Sequence, residues 1–388
     1  MALDTRSAPP TIAMVAGEAS GDLLAGLLLA GLQARWPQLR AHGIGGPQMQ
    51  AHGFTAWWPH HKLSVHGFGW DVLLRYREIV GIRKQLQQRL LAQRPDLFIG
   101  IDAPDFNLDL EAGLKAQGVK TVHFVCPSVW AWRAERLLKI RRCVDHVLCI
   151  FPFEPELLAA HGIASTYVGH PLANVIPMQP DRAQARRALG LDLQDEVVAL
   201  LPGSRVSEIT HLAPRFFEAA RRIAKVRPLV RFVVPAAPGL LERIQSIASD
   251  IGGVQRLQIV AGQSHTVLAA CDVTLIASGT ATLEAACFGL PYTLVYNVSW
   301  PTYVVAKLVV RIKHLGIINI LAKREVVKEL VQHDLNPDTL AKATADLLTQ
   351  KDRREALQAD LATVVAMLGS GGAYQRAAQA VHSAIHSS

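Results

Sequence analysis

Two carboxylates of this chain follow an apolar, strand-like run and are separated by only two residues. Asp102 and Asp105 lie in the segment GIDAPDFN at 100–107, and Asp102 is the last residue of the run at 97–102. Open α/β sheets bind ligands at the carboxyl ends of their strands, which places both acids where a substrate would bind. A carboxylate partly removed from water there can have a raised pKa and act as a general base. The alternative is that one or both acids only cap the next helix.

A second acidic turn, GEASGD at 17–22, separates the first apolar run from a helical pattern. Free N–H groups point outward at the start of such a helix, which favours a polar ligand. Two acids suit the hydroxyls of a sugar better than a phosphate, so we predict that Glu18, Ser20 and Asp22 bind substrate. Capping of the helix by Ser20 or Asp22 is the alternative. Neither GxGxxG nor GxxxxGK[ST] occurs, so the usual signatures of dinucleotide binding and P-loop hydrolysis are absent.

A turn in the second half of the chain has the residue types of an anion site. The sequence LPGSR at 201–205 ends an apolar run, and a helical pattern follows it. Gly203 lets the backbone approach a ligand closely, Ser204 donates a hydrogen bond, and Arg205 supplies positive charge. An ordinary surface salt bridge is the alternative for Arg205.

A similar turn, SGTATLE at 278–284, follows another apolar run. Ser278, Gly279 and Thr280 are small residues at the start of a helix, whose dipole would point at a bound pyrophosphate. Glu284 lies one turn further on and could accept both hydroxyls of a ribose. A capping box of Glu284 with Thr280 or Ala281 is the alternative.

Aromatic residues mark two further segments. In SVWAWR at 128–133 we predict that Trp132 and Arg133 bind substrate, because aromatic faces stack on sugars or line acyl pockets. Core packing is the alternative for the tryptophans. Residues 63–74 are apolar and are followed by a basic stripe, a pattern that suits an interfacial helix on anionic lipid. The predicted membrane contacts are Val65, Phe68, Trp70 and Leu73. An ordinary amphipathic core helix is the alternative.

The elements that must position these turns alternate along the whole chain. Apolar runs of strand length, such as 11–17, 120–126, 197–201 and 273–276, are separated by helical patterns. Continuous apolar strands between helices predict parallel sheets that are covered on both faces. Two such units of similar size predict two Rossmann-like domains, with a boundary in the proline-containing segment 171–182.

Length and composition agree with this organisation. The chain has 388 residues, of which 50% are hydrophobic and 19% charged, which excludes a disordered protein and suggests two domains. The longest charge-free stretch, 285–306, is broken by prolines and glycine, so we expect no membrane span. The net charge of +8 is compatible with nucleic acid, an anionic membrane surface or a phosphorylated substrate. The five cysteines form no CxxC pair and are expected to be reduced and buried, and no histidine pattern predicts a metal site.

Seven motifs occur together in one order. They are VAGEASGD at 15–22, GIDAPDFN at 100–107, PSVWAWR at 127–133, FPFE at 151–154, GHPL at 169–172, LPGSR at 201–205 and SGTATLE at 278–284. With these motifs the sequence resembles the lipid-A-disaccharide synthase family over nearly its whole length. The resemblance implies a GT-B fold, in which two Rossmann-like domains have parallel sheets facing a cleft. We expect an acceptor- and membrane-facing domain at 1–172, a UDP-sugar domain at 173–365, and a final helix at 366–388. That helix either packs on the first domain or is exchanged in a homodimer.

The resemblance also implies the chemistry. The reaction would join UDP-2,3-diacylglucosamine to 2,3-diacylglucosamine 1-phosphate through an inverting β-1,6 linkage and would release UDP. Asp102 would be the base, with Asp105 in support. Arg205 and the two helix starts would bind the pyrophosphate without a metal or other cofactor, and Glu284 would hold the ribose. Asn319 matches an asparagine that the family places near the nucleotide, although the flanking proline and glycine of the family are missing here.

The resemblance further implies a cytoplasmic enzyme that associates peripherally with the inner membrane and makes lipid A for lipopolysaccharide in a Gram-negative cell. The alternatives are another GT-B enzyme that acts on a UDP-amino sugar, such as a peptidoglycan glycosyltransferase or an epimerase, and a non-catalytic carrier of lipid or nucleotide sugar. Nucleic-acid binding has no support beyond the charge, because no such motif is present.

Overall fold

The computed structural model describes residues 9–63, 70–129, 136–176, 180–297, 313–369 and 371–386. The chain divides into two compact units. Unit 1 comprises Met1–Asn174 and Leu368–Ser388, and unit 2 comprises Val175–Met367. Each unit is an α/β domain built on one parallel sheet.

Unit 1 contains a seven-stranded sheet in the order β3-β2-β1-β4-β5-β6-β7, in which every pair is parallel. Its strands are β1 (Thr11–Ala16), β2 (Arg40–Gly45), β3 (Thr55–Pro59), β4 (Leu97–Ile101), β5 (Thr121–Phe124), β6 (His146–Cys149) and β7 (Ser165–Tyr167). Its helices are α1 (Ala19–Arg35), α2 (Pro47–Gln50), α3 (Trp70–Gln93), α4 (Pro104–Lys115), α5 (Arg136–Cys143), α6 (Glu154–Ala159) and α7 (Leu172–Val175), which reaches the unit boundary. A short 3-10 helix spans His60–Leu63.

Successive residues of β1 explain why this sheet is covered on both faces. Ile12 and Met14 pack into one apolar cluster with helix α1, whereas Ala13 and Val15 pack into another with helices α3 and α4. Side chains alternate across a strand, so a strand that is apolar at every position needs helices on both sides. The continuous apolar run of β1 therefore predicts its central place in the sheet.

Unit 2 contains a six-stranded parallel sheet in the order β10-β9-β8-β11-β12-β13. Its strands are β8 (Val197–Leu201), β9 (Arg231–Ala236), β10 (Leu257–Ala261), β11 (Val273–Ala277), β12 (Tyr292–Tyr296) and β13 (Lys328–Val331). Its helices are α8 (Arg182–Ala188), α9 (Val206–Val226), α10 (Leu241–Ile251), α11 (Ser264–Ala270), α12 (Thr280–Cys287), α13 (Ile317–Ala322), α14 (Pro337–Thr349) and α15 (Lys351–Ala366), and a 3-10 helix spans Gln332–Asp334.

Both sheets reverse their strand order beside their first strand. In unit 1 the reversal lies between β1 and β4, and in unit 2 it lies between β8 and β11. Loops that leave the carboxyl ends of two such strands run in opposite directions and leave a crevice, which is where doubly wound sheets bind ligands. Each unit therefore has one topologically defined place for a ligand.

The last helix, α16 (Ala373–His386), returns to unit 1. It packs against α1, and its Val381 is buried in the cluster around β1. Arg376 Nε donates to the carbonyl of Val168 at 2.9 Å, and the Tyr374 hydroxyl donates to the carbonyl of Pro171 at 3.1 Å. The unit boundaries, after residues 174 and 367, lie two residues from those predicted from the sequence.

Candidate active site

The reversal point of unit 1 brings two of the predicted turns together. Ala16 and Ile101, the last residues of β1 and β4, are paired. A Cβ added to Gly17 would lie 2.9 Å from the Cβ of Ala103, so the two loops touch. Only a glycine permits this close approach. The loop that carries Glu18 therefore lies directly beside the loop that carries Asp102.

Asp102 has an unusual backbone conformation at this point. Its φ is +50°, and that of Ala103, the N-cap residue of α4, is +43°. Few residues other than glycine adopt this left-handed region, and it costs on the order of 1–2 kcal/mol for an L-residue. The amide of Asp102 donates to the carbonyl of Phe124 at 2.9 Å. The side-chain amide of Asn107 donates to the carbonyl of Asp102 at 2.8 Å. These two bonds hold the strained turn in place.

The carboxyl group of Asp102 is half-buried, and burial raises its pKa above the ordinary range. His123 and the backbone N–H of Ala103 oppose this shift, whereas the negative charge of Glu18 adds to it. A carboxylate with a raised pKa is a stronger proton acceptor than an ordinary aspartate. The chemistry predicted for Asp102 is therefore the chemistry that its surroundings favour.

Glu18 and Ser20, two of the three predicted substrate contacts in the turn at 17–22, differ in their exposure to solvent. Glu18 is exposed and is the N-cap residue of α1, but its side chain makes no capping bond. Ser20 is half-buried in the first turn of that helix. Capping of α1 by Ser20 or Asp22, the alternative role, is therefore not observed.

Asp22, the third predicted contact of this turn, has a structural role that was not predicted from the sequence. Its side chain is 2% exposed. The carboxylate accepts hydrogen bonds from the backbone amides of Gly46, Gln48 and Met49 at 2.7, 2.9 and 3.2 Å. These amides belong to the start of α2, so Asp22 caps that helix across the β1–β2 interface. Its prediction as a substrate ligand is not supported, because both carboxylate oxygens already bind the protein.

Asp105 forms a salt bridge with a residue of the next helix in the chain. Its side chain is 84% exposed and pairs with Arg136 of α5 at 2.5 Å. It also lies in the first turn of α4, where an acid interacts favourably with the helix dipole. These contacts favour the structural alternative for Asp105 over a supporting role beside Asp102.

Four of the predicted contacts lie outside the described residues, namely Val65, Phe68, Trp132 and Arg133. Trp70 and Leu73 lie in the first turn of α3, and only their backbone positions are described. The predicted interfacial helix at 63–74 therefore overlaps α3 over residues 70–74. Its role at a membrane stays a prediction.

In unit 2 the turn after β8 carries Gly203, Ser204 and Arg205 into helix α9. Gly203 has a φ of +125°, and a Cβ there would lie 2.5 Å from Oε2 of Glu208. That oxygen accepts from the amides of Ser204 at 2.9 Å and Arg205 at 3.2 Å. Glu208 therefore takes up two of the amides that could have bound an anion. The side chain of Arg205 is 61% exposed and lies 3.8 Å from Glu208, which leaves most of its guanidinium accessible.

The turn after β11 has a different arrangement. The amide of Ser278 donates to the carbonyl of Val295 at 2.8 Å, and Gly279 and Thr280 are exposed at the start of α12. The N-cap residue, Gly279, receives no side-chain capping bond. The capping box considered for Glu284 is therefore not formed, and this helix start is open among the residues described.

Glu284 lies one turn into α12 and is largely removed from water, with 18% of its side chain exposed. Burial raises its pKa, and the nearby His265 partly offsets the shift. The distance from His265 Nε2 to Glu284 Oε2 is 3.7 Å, and the same ring packs edge-on against Phe288. His265 lies in the first turn of α11 and was missed by sequence reasoning, because no local pattern connects it with Glu284.

Asn319 is fully engaged within unit 2. Its side chain is 0% exposed, and its Nδ2 donates to the carbonyl of Val327 and to Glu329 at 2.8 and 2.7 Å. Its Oδ1 accepts from the amides of Val326 and Val327 at 2.7 and 2.9 Å. Asn319 therefore anchors α13 to the segment before β13. The predicted contact with a nucleotide is not supported, because no hydrogen-bonding group remains for it.

All five cysteines are buried and free, as predicted. Within the described ranges, no three His, Cys, Asp or Glu side chains are grouped so that they could hold a metal ion. None of the helices that the structure describes is long and apolar enough to cross a membrane.

Comparison with known proteins agrees with the sequence motifs. The family model described as Lipid-A-disaccharide synthetase matches residues 12–384. A protein of Albidiferax ferrireducens named lipid-A-disaccharide synthase is 64% identical over 332 residues, which cover 86% of this chain and 85% of that protein.

Solved structures show the same fold at low identity. The UDP-GlcNAc 2-epimerase of Neisseria meningitidis, bound to UDP-GlcNAc, aligns with a TM-score of 0.63 and 12% identity over 96% of this chain and 98% of that one. MurG of Acinetobacter baumannii aligns with a TM-score of 0.56 and 14% identity over 96% of this chain and 99% of that one. The fold is the GT-B arrangement of two parallel-sheet domains. The match of the family model over nearly the whole sequence shows that the chain belongs to the lipid-A-disaccharide synthase family and is a glycosyltransferase.

Proposed function

We propose that this enzyme transfers 2,3-diacylglucosamine from UDP to the 6-hydroxyl of 2,3-diacylglucosamine 1-phosphate. The product would be a β-1,6-linked disaccharide 1-phosphate, and UDP would be released. The observation that carries this proposal is the position of Asp102 at the reversal point of unit 1, where burial raises the pKa of its carboxyl group. A base is required there because the attacking group is an alcohol.

The step needs one base and one stabilised leaving group. The hydroxyl oxygen of the acceptor attacks the anomeric carbon while the bond from that carbon to the UDP oxygen breaks. The hydroxyl proton passes to the carboxylate of Asp102, and the bonding electrons leave with UDP. One displacement at the α-linked donor inverts the anomeric carbon and gives the β product.

Unit 2 supplies groups that suit the leaving UDP. The guanidinium of Arg205 is accessible beside the start of α9, and the start of α12 presents the exposed Gly279 and Thr280. The positive charge of Arg205 and the amides at the start of α12 would stabilise the charge that develops on the pyrophosphate. Glu284 would accept the ribose hydroxyls. These groups would make the transfer independent of a divalent metal, so we expect turnover to survive excess chelator.

The acylated substrates imply work at a lipid surface. Tyr76 on α3 and Leu138 on α5 are 60% and 57% exposed, and both helices pack on α4. The cationic side chains of Arg77, Arg141 and Arg142 are also exposed on these helices. Exposed apolar residues beside basic ones suit an anionic membrane surface. We therefore propose a peripheral enzyme on the cytoplasmic face of the inner membrane, with the segment at 63–74 in contact with lipid.

The decisive experiment combines the purified protein with the two acylated glucosamine substrates and measures UDP and the disaccharide phosphate. The wild-type protein should form both products. Asp102→Asn keeps the shape of the side chain, removes its basicity, and should abolish turnover while UDP still binds to unit 2. Near-normal turnover by this variant would remove Asp102 as the base. Asp105→Asn is the matched control, since its carboxylate is exposed and paired with Arg136, and it should retain most of the activity.

A further inference from the structure

A buried polar cluster lies beneath Asp102, between helix α4 and the sheet. Asn107 and Glu111 project from α4, and His123 projects from β5. All three side chains are 0% exposed. Buried polar residues at such a place are costly unless they are paired, so this cluster requires a specific explanation.

The sheet contains a gap that admits this cluster. Gly100 of β4 is paired with His123 of β5. A Cβ on Gly100 would lie 2.2 Å from Oε1 of Glu111 and 2.9 Å from the Cβ of Asn107. The missing side chain therefore lets both residues of α4 reach the sheet, and any larger residue would push Glu111 away from His123.

His123 and Glu111 form a closely coupled pair. His123 Nδ1 lies 2.8 Å from Oε1 of Glu111, and His123 Nε2 has no hydrogen-bond partner among the residues described. Burial lowers the pKa of His123, but the charge of Glu111, its hydrogen bond and the charge of Asp102 together raise it above the ordinary value. The pair therefore favours an imidazolium on the residue that precedes Phe124, whose carbonyl accepts from the amide of Asp102.

The charges that face these groups come from few elements. Asp102 is influenced by Glu18 at the start of α1 and by His123 on β5, and His123 is influenced by Glu111 and Asp102. On α5, burial and the charge of Glu111 raise the pKa of the Cys143 thiol, so this thiol stays neutral. Among the residues described, His123 is the cationic side chain that opposes the effects of burial and of Glu18 on the pKa of Asp102.

We propose that His123, held in place by Glu111, is a positioning residue that keeps the carboxylate of Asp102 ionised and ready to accept a proton. This inference rests on the proposed role of Asp102 as the base. Asn107 donates a hydrogen bond to the backbone carbonyl of Asp102. The positive charge of the His123–Glu111 pair's imidazolium stabilises the ionised form of the Asp102 carboxylate. A half-buried carboxylate without the imidazolium would take up a proton at a higher pH and could no longer act as a base there.

The coupling can be measured without turnover, through the ¹⁵N resonances of the His123 ring in the full-length protein. The resonances are assigned by their loss in His123→Gln. In Asp102→Asn the pKa of His123 should fall, because the neighbouring negative charge that stabilises the imidazolium is gone. The same His123 titration in the wild type and in Asp102→Asn would overturn the proposal.

The effect on catalysis is measured as the pH profile of kcat/KM. In His123→Gln the acidic limb should move to higher pH, with about tenfold or greater loss on the acidic side, since a nearby opposite charge lowers a carboxyl pKa by about 1–3 units. At alkaline pH the rate should approach that of the wild type, and Glu111→Gln should shift the limb in the same direction. His146→Gln is the control, because His146 lies on the next strand and bonds to Thr166 Oγ1 at 2.8 Å.

The outcomes separate this inference from the proposed function. An equal loss of kcat/KM at every pH, with the limb in place and the His123 titration unchanged, would mean that His123 only supports the fold. A His123 titration that responds to Asp102, together with an unmoved acidic limb in His123→Gln, would confirm the coupling and exclude Asp102 as the base.

Discussion

Replacement of Asn319 by alanine distinguishes a structural residue from a nucleotide ligand. The four hydrogen bonds of its side chain connect α13 with residues 326–329. Truncation would leave the amides of Val326 and Val327 and the carbonyl of Val327 without these partners. Each buried group that loses its partner costs about 1–3 kcal/mol. Because two of the four bonds are only partly buried, we expect a total loss of about 3–5 kcal/mol.

Such a loss is a large part of the about 5–15 kcal/mol that stabilises a typical domain. At about 2–4 °C per kcal/mol for a domain of this size, the melting temperature of unit 2 should fall by about 6–20 °C. Calorimetric melting and titration with UDP at low temperature, where the variant is still folded, measure both properties. UDP affinity should stay within about threefold of the wild type, since no group of Asn319 is left for the nucleotide.

The matched control is Asn336→Ala in the same unit. Asn336 is exposed and caps α14 by accepting from the amide of Thr339 at 2.9 Å, so its loss should cost about 1 kcal/mol. If Asn319→Ala melted like the wild type but bound UDP at least tenfold more weakly, the structural assignment of Asn319 would be refuted.

Three further predictions concern individual acids. Asp22→Ala should lower the free energy of unfolding by about 2–4 kcal/mol in urea titrations and should leave the KM values for the substrates little changed. Asp181→Ala, which removes an exposed helix cap, is the control and should cost about 1 kcal/mol. Asp102→Asn should have a larger free energy of unfolding than the wild type at pH 8, because the raised pKa of Asp102 in the folded state means that its ionisation opposes folding. The difference in stability should vanish below the pKa that Asp102 has in the unfolded chain. Equal stability of the two proteins at both pH values would contradict this prediction. Because the pKa of Glu284 is raised, the affinity for UDP should begin to fall on acidification at a higher pH than it would with a glutamate of ordinary pKa. Glu284→Gln should bind UDP more weakly than the wild type, and its affinity should not show this pH dependence.

Most of the fold follows from hydrophobic patterning. The largely apolar runs of β1, β4, β8 and β11 predict central parallel strands, and these strands form the centres of the two sheets. The edge strands β3 and β13 were not predicted, since an edge strand is buried on fewer sides and carries a weaker pattern. The sequences TAWWP and KELV are short and partly polar for that reason.

The candidate site was predicted less completely than the fold. Turns that follow central strands were located correctly, because topology alone brings them to the reversal points. The partners of individual side chains could not be predicted, since Asp22 meets α2 and Glu284 meets His265 only in the folded chain. The pair of Glu111 and His123 was missed because a single histidine within an apolar strand has no local signal for a partner twelve residues earlier.

Asp22 in the first turn of α1 and Asp102 after β4 differ in how their surroundings stabilise a negative charge. Asp22 accepts three backbone hydrogen bonds, so its negative charge is stabilised by the fold itself. Asp102 combines a left-handed backbone, partial burial and the neighbouring charge of Glu18, each of which opposes an ionised carboxylate or the folded conformation. Backbone strain of this kind persists only where the surroundings enforce it, here through the hydrogen bonds of Asp102 with Asn107 and with the carbonyl of Phe124. A local cost of this kind is typical of functional sites and supports the proposed role of Asp102 as the base.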